Sequence, residues 1–261
     1  MDIKELQVSS EEHGKQNHPW EYARSNVVRS LVKKYLPKEA NGYALDIGCG
    51  DVFFLTRFAD KYPEYKLIAV DTAFDPELIA ALSAKNSKYN IQFFKSIREI
   101  THLQKASIVF MMDVLEHIED DVSFLKEVVS QSCISPDTLF VITVPAFQSL
   151  FCNHDYWLGH YRRYSRNMLK QHTASAGLSP LEDGYFFTSL LLPRFIQKMI
   201  EKSTKAQSEQ NQGIGNYKGG AAKSFLIETF LMLDFHFNRL FRLIGIKMPG
   251  LSTYAICKKS K

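Results

Sequence analysis

Residues 43–51, Tyr-Ala-Leu-Asp-Ile-Gly-Cys-Gly-Asp, decide the fold. A short apolar run reaches Asp46, and glycines follow at 48 and 50. Such a run, bounded by glycines, reads as a buried strand breaking into a turn. With so little side-chain bulk, the backbone N–H groups of the turn can approach a ligand closely. The dinucleotide fingerprint G-x-G-x-x-G uses a third glycine to pack helix against strand; Phe53 stands at that position here. An acid two residues ahead of the first glycine suits a ligand carrying positive charge better than one carrying a pyrophosphate.

Outward from this turn, strands and helices alternate. Period and turn residues predict strands at about 42–47, 66–70, 91–94, 106–112, 138–144, 181–187 and 252–257. Helices are predicted at about 20–36, 52–61, 76–85, 119–132 and 166–176, the last ending at Gly177. Alternation of this kind implies parallel strands with crossover helices. The polar, Gly-containing stretch 203–224 breaks the pattern and reads as a mobile linker. After it, Leu226, Phe230, Leu233, Phe237, Leu240 and Ile244 recur at helical spacing, predicting an amphipathic helix.

The pattern Leu-Asp-Ile-Gly-Cys-Gly at 45–50 resembles the first motif of the class I S-adenosylmethionine-dependent methyltransferases. Met112-Asp113-Val114-Leu115-Glu116-His117-Ile118, at the end of the fourth strand, is similar to the Asp-x-x-x-His-Ile segment of that family. Gly159-His-Tyr-Arg-Arg-Tyr164 looks like the signature of one of its subgroups, whose chains also have an entry like His18-Pro19-Trp20. The likeness spans residues 18–187. Two departures stand out: Val52 occupies a position where the family prefers Gly, and Phe93-Phe94-Lys95-Ser96 lacks its adenine-side Asp.

The resemblance implies a Rossmann-like α/β fold, a seven-stranded and mostly parallel sheet with flanking helices; the helical spacing after the linker adds a helical insertion before the last strand. It implies S-adenosylmethionine as the cofactor. Cofactor contacts are then expected at Asp46, Gly48, Cys49, Gly50, Asp71, Thr72, Ser96, Asp113 and Val114. Asp71 also follows from the residues themselves, because a carboxylate ending the second strand can accept both ribose hydroxyls of a nucleoside. Acceptor binding is expected at Tyr156, His160, Tyr161, Arg162, Arg163 and Tyr164, where arginines offer paired donors and aromatics offer stacking faces. His117, His154 and His160 are the candidate general bases, although ordering the start of the next helix is the preferred reading of His117. No metal site is expected.

The 261-residue chain divides into an N-terminal segment with a lid-like helix at 1–40, a cofactor-binding core at 41–187, a helical insertion at 188–250, and a final strand with basic tail at 251–261. From Thr188 onward it carries 12 Lys and Arg against 4 Asp and Glu, whereas the preceding part carries 20 against 24. This asymmetry points to an anionic acceptor or to peripheral membrane contact through 188–250; a solvated basic face is the plainer reading. Nucleic acid is not an expected partner. Four scattered cysteines without a C-x-x-C pair fit reduced thiols in a cytoplasmic protein. The N-terminus lacks the apolar core of a signal peptide. The function expected is methyl transfer to oxygen or nitrogen of a small-molecule, glycan or lipid-type acceptor. A silent binding module on the same fold, or an NAD-dependent oxidoreductase, are the alternatives.

Overall fold

The computed structural model describes residues 18–36, 42–101, 105–204 and 219–260. The first 17 residues and most of the 203–224 linker lie outside these described residues.

Seven strands form one sheet in the order β3-β2-β1-β4-β5-β7-β6. They are β1 (Tyr43–Ile47), β2 (Lys66–Val70), β3 (Ile91–Phe94), β4 (Ala106–Met112), β5 (Leu139–Pro145), β6 (Leu178–Phe186) and β7 (Ser252–Lys259). The pairs among the first five are parallel, and β7 runs antiparallel between β5 and β6. In β1, β2, β4 and β5 nearly every residue is buried on both faces, as parallel strands under helices require.

The helices are α1 (Pro19–Val32), α2 (Phe53–Lys61), α3 (Pro76–Lys85), α4 (Asp121–Ser130), α5 (Asn153–Leu158), α6 (Arg166–Ser175), α7 (Leu191–Thr204) and α8 (Ala221–Leu243). The sheet divides the core into two apolar layers. One holds Val27, Leu31, Phe58, Phe110 and Phe235; the other holds Leu45, Val109, Leu125, Ile142 and Leu169.

β6 begins three residues earlier than its sequence pattern indicates. Pro180 obscures it, and the position is tolerated because β6 is the edge strand, where a missing N–H breaks no ladder on the open side. Among the described residues, helices α7 and α8 lie between β6 and β7 in the chain. Asn26 of α1 donates to Glu228 of α8 at 2.6 Å. Glu182 on β6 collects Lys34 and Tyr35 from the end of α1, Arg242 from α8 and Tyr254 from β7. Burial alone would raise the Glu182 carboxyl, but the hydrogen bonds from Lys34, Tyr254 and Tyr35 outweigh it and hold it below its ordinary value.

Candidate active site

From β1 the chain leads to β2 on one side, while β4 pairs on the other, so the strand order reverses there. A crevice opens beyond the carboxyl ends of strands at such a switch point. The cavity found there has a volume of about 710 Å³.

The glycine turn forms one wall. Gly48 and Gly50 adopt φ of 69° and 55°, and Val52 adopts 58°. A Cβ on Gly48 would meet Val114 Cγ2 at 2.6 Å, so the close approach of two strand ends excludes any side chain there. Val52 takes the left-handed conformation that glycine accepts without strain, which gives the family's preference a physical reason. For a β-branched residue this conformation costs about 1–2 kcal/mol. The Val52 side chain is fully buried with Leu55 and Phe58, and that burial offsets the strain.

Asp46 lies at this wall and is 1% exposed. Neither carboxylate oxygen has a hydrogen-bond partner among the described residues. Burial, with Asp71 and Asp51 nearby, pushes its pKa up to about 8, although Arg24 pulls the other way. An unpartnered buried carboxylate is costly, and one at a cavity wall can pair with a cationic ligand. Asp71 is already engaged: it accepts N–H bonds from Gly50 at 2.9 Å and Ala73 at 3.0 Å, tying the turn to the end of β2. Each of its oxygens retains a second lone pair.

The structure brings Asp46, Gly48, Cys49, Asp71, Thr72, Ser96, Asp113 and Val114 to the cavity wall. Gly50 stands behind it, bonded to Asp71. Burial raises the Cys49 thiol well above its ordinary value, so it is not a nucleophile. Asp113, at φ 57°, donates its N–H to Thr143 O at 2.8 Å and pairs with Arg24. Sequence reasoning missed Arg24 as a site residue. It is buried in α1, and its guanidinium lies 4.4 Å from the Trp20 ring centroid. His18, Trp20 and Glu21 join it on the cavity wall. The helix start is fixed by a capping box in which Trp20 N–H donates to His18 Nδ1 and His18 N–H to Glu21.

The opposite wall comes from the segment after β5. Part of it, read from sequence as loop, forms the short helix α5, closed by Gly159 at φ 81°. Asp155 is its hub, fully buried. It accepts from Arg163 Nε at 2.8 Å and Nη2 at 3.0 Å, from Arg194 at 3.3 Å, from Cys152 N–H at 2.9 Å, and pairs with His160 Nδ1 at 3.0 Å. Burial works against its charge, but His160, Arg163 and Arg194 outweigh burial and hold its carboxyl well below the usual range. Burial, reinforced by Arg194, pushes His154 down to about 4, so it is neutral at pH 7 and weakly basic.

Of the residues expected to bind acceptor, His160 and Arg163 line the cavity, and Arg163 does so while committed to Asp155. The other four stand outside the cavity wall. Tyr156 and Tyr161 face solvent. Arg162 donates to Ile118 O at 2.9 Å and Glu119 O at 2.6 Å. Tyr164 is fully buried, its hydroxyl shared between Leu115 O at 3.0 Å and Asp121 at 2.6 Å. These bonds, with Tyr161 N–H to Glu116 O at 2.7 Å, stitch this segment onto residues 115–121. As a result His117 and His160 meet edge to face, their ring centroids 4.6 Å apart, with the buried Glu116 carboxylate beside them. His117, His154 and His160 all line the cavity, as does Arg194 from α7, which sequence reading had not singled out.

The model of the methyltransferase domain family matches residues 20–183. No curated protein sequence matches the chain significantly. Among solved structures, a Galdieria sulphuraria protein assigned as a sarcosine dimethylglycine methyltransferase superposes with a TM-score of 0.57 at 15% identity, covering 91% of this chain and 85% of that one. Coclaurine N-methyltransferase bound to N-methylheliamine and SAH gives 0.56 at 14%, covering 95% and 73%. Haemonchus contortus phosphoethanolamine N-methyltransferase 2, in complex with S-adenosyl-L-methionine, gives 0.52 at 13%, covering 90% and 53%. At these identities the structural likeness establishes the fold, while the family match covers more than half the sequence. The chain belongs to the methyltransferase domain family and is a class I S-adenosylmethionine-dependent methyltransferase.

Proposed function

We propose that this enzyme methylates oxygen or nitrogen of a small-molecule, glycan or lipid-type acceptor that enters between α1, α5 and α7. The observation carrying this reading is the unpartnered Asp46 carboxylate behind the glycine turn, within a cavity of cofactor-and-acceptor size. S-adenosylmethionine supplies an already activated methyl on a cationic sulfonium, so the protein's task is to orient the acceptor and exclude water. Asp46 neutralises the cationic methionine end. Gly48 and Cys49 line its seat, Asp71 offers its remaining lone pairs to the ribose, and Ser96 with the Ile97 backbone takes the adenine side. Asp113 and Val114 flank the methionine end, with Arg24 holding Asp113 in place. Trp20 and Arg24 close the cavity from α1.

The acceptor's reacting atom lies at the corner formed by Glu116, His117 and His160. His154 is set aside as a base because its burial leaves it too weakly basic. Lys95 on the wall favours an acceptor with anionic character, whereas Arg194 is committed to Asp155. Solution calorimetry with S-adenosylmethionine, S-adenosylhomocysteine and NAD tests the cofactor assignment. The first two bind and NAD does not; binding of NAD alone, or of none, overturns it.

A second reading concerns α7 and α8. Phe195, Ile196, Ile200, Phe230, Leu233, Phe237 and Leu240 are exposed on them, close in sequence to Lys198, Arg239 and Arg242. Exposed apolar side chains on helices that also carry Lys and Arg suit an anionic lipid surface. Among the described residues no helix is long and apolar enough to cross a membrane. Flotation with anionic vesicles recovers the protein; equal absence from anionic and neutral vesicles overturns this reading. The four buried free cysteines support a cytoplasmic location.

A further inference from the structure

We infer that Glu116, His117 and His160 form a binding site for one divalent transition-metal ion, which holds and activates a hydroxyl of the acceptor. Each residue offers one ligand atom, and these atoms all lie within 4.8 Å of one another. Two imidazoles and one carboxylate are the donor set that suits Zn²⁺, Mn²⁺ or Fe²⁺ rather than Mg²⁺ or Ca²⁺, which prefer all-oxygen shells. Three protein ligands leave positions open for substrate, as in a catalytic rather than a structural site. All three line the cavity.

The surroundings prepare the site in advance. His160 Nδ1 is held by Asp155 at 3.0 Å, which fixes the ring and leaves Nε2 as the available ligand atom. Asp155 is itself held by Arg163 and Arg194, so the orienting carboxylate cannot swing away. His117 and Glu116 belong to a 3₁₀ turn directly after β4, and His117 N–H donates to Val114 O at 3.0 Å. Residues 43 to 49 positions apart are joined by the Tyr164 bonds to Leu115 of this turn and to Asp121 and by the Arg162 bonds to Ile118 and Glu119. The ligands therefore come from two segments that are locked together without a ligand being needed to order them.

This inference rests on the methyltransferase reading and names its acceptor more closely: a hydroxyl with a second oxygen beside it, such as a vicinal diol or a hydroxy acid, which can occupy two open positions. Ligation lowers the hydroxyl pKa, and its proton leaves to solvent. The oxygen lone pair then forms the O–CH₃ bond as the methyl–sulfur bond breaks. That bond's electron pair remains on sulfur, giving a methyl ether and the neutral thioether.

The full chain, stripped with chelator, is titrated calorimetrically with Zn²⁺, Mn²⁺ and Mg²⁺ alone, and its Co²⁺ form is examined by visible absorption. The expected result is uptake of one equivalent of Zn²⁺ or Mn²⁺ in clear preference to Mg²⁺, with Co²⁺ bands shifted from those of the hydrated ion. His117→Ala and His160→Ala each weaken metal binding at least tenfold while S-adenosylhomocysteine binding stays within about twofold of wild type. Asp155→Asn weakens it about 10–100-fold through the orientation of His160. No stoichiometric uptake, a hydrated-ion Co²⁺ spectrum in the wild type, or unchanged affinity in both histidine variants overturns the proposal. Should a variant not fold, the wild-type stoichiometry and spectrum still decide. Loss of S-adenosylhomocysteine binding by the wild type instead strikes the methyltransferase reading.

Discussion

The two walls of the cavity are built on opposite principles. The β1 wall is made of backbone, with three left-handed residues, N–H groups already bonded to Val70 O and Asp71, and one carboxylate left without a partner. The wall after β5 is made of side chains whose charges already satisfy one another, with two arginines and a histidine converging on Asp155. The first wall is incomplete without a cationic ligand. The second already ties its arginines to Asp155, with Arg194 Nε left without a partner among the described residues, so these arginines act as scaffold before they act as recognition groups. A count of arginines in a loop is therefore a poor measure of the anion it binds.

The largest break in this contrast comes from removing the hub. Asp155→Ala leaves the buried Arg163 and the partly buried Arg194 without their carboxylate, and is expected to destabilise the fold by about 3–5 kcal/mol in urea unfolding. A loss under about 1 kcal/mol contradicts the scaffold role. On the other wall Asp46→Asn has the reverse profile. The free protein keeps or gains stability, because a costly buried carboxyl is gone, while cofactor affinity falls by about 1.5–3 kcal/mol.

The same carboxylate sets a pH dependence. With its pKa pushed from 3.8 to about 8, Asp46 is protonated in the free protein at pH 6. Binding a cation favours the carboxylate, so below pH 8 the proton must leave. Affinity therefore rises with pH by up to about tenfold per unit and levels off near 8. Arg24, Asp71 and Asp51 share its surroundings, and Asp46→Asn removes the slope. Because the folded state keeps a proton that the unfolded chain sheds near 3.8, the unliganded protein loses stability as pH rises from 4 to 8.

Val52→Gly is a smaller perturbation. It relieves about 1–2 kcal/mol of backbone strain but forfeits about 1.5–3 kcal/mol of buried side chain and adds unfolded-state entropy. A net loss near 1 kcal/mol is expected in thermal unfolding, with cofactor affinity nearly unchanged. A large gain in affinity would mean that Val52 distorts the turn. The smallest effect belongs to Tyr156→Ala: at 72% exposure it shifts stability by less than about 0.5 kcal/mol and leaves cofactor binding alone.

The contrast also explains what was legible. Strands β2, β3 and β4 match their sequence boundaries because mostly apolar runs end at polar residues. The glycine turn is legible because positive φ leaves a local mark in glycine, and Val52 shows how that mark fails when burial compensates strain. Arg24 was invisible because its partner Asp113 lies 89 residues away. Tyr164 and Arg162 drew attention through their chemistry, yet their bonds run 43 to 49 residues back to segment 115–121. Local pattern shows which groups are present; only tertiary pairing shows which are already satisfied.

On this account Asp46 waits protonated for the cofactor's cation. Calorimetry of S-adenosylhomocysteine binding near pH 7, in two buffers of different ionisation enthalpy, counts the protons exchanged. Close to one proton released by the wild type and none by Asp46→Asn is the predicted result; no release by the wild type, or equal release by both, contradicts it.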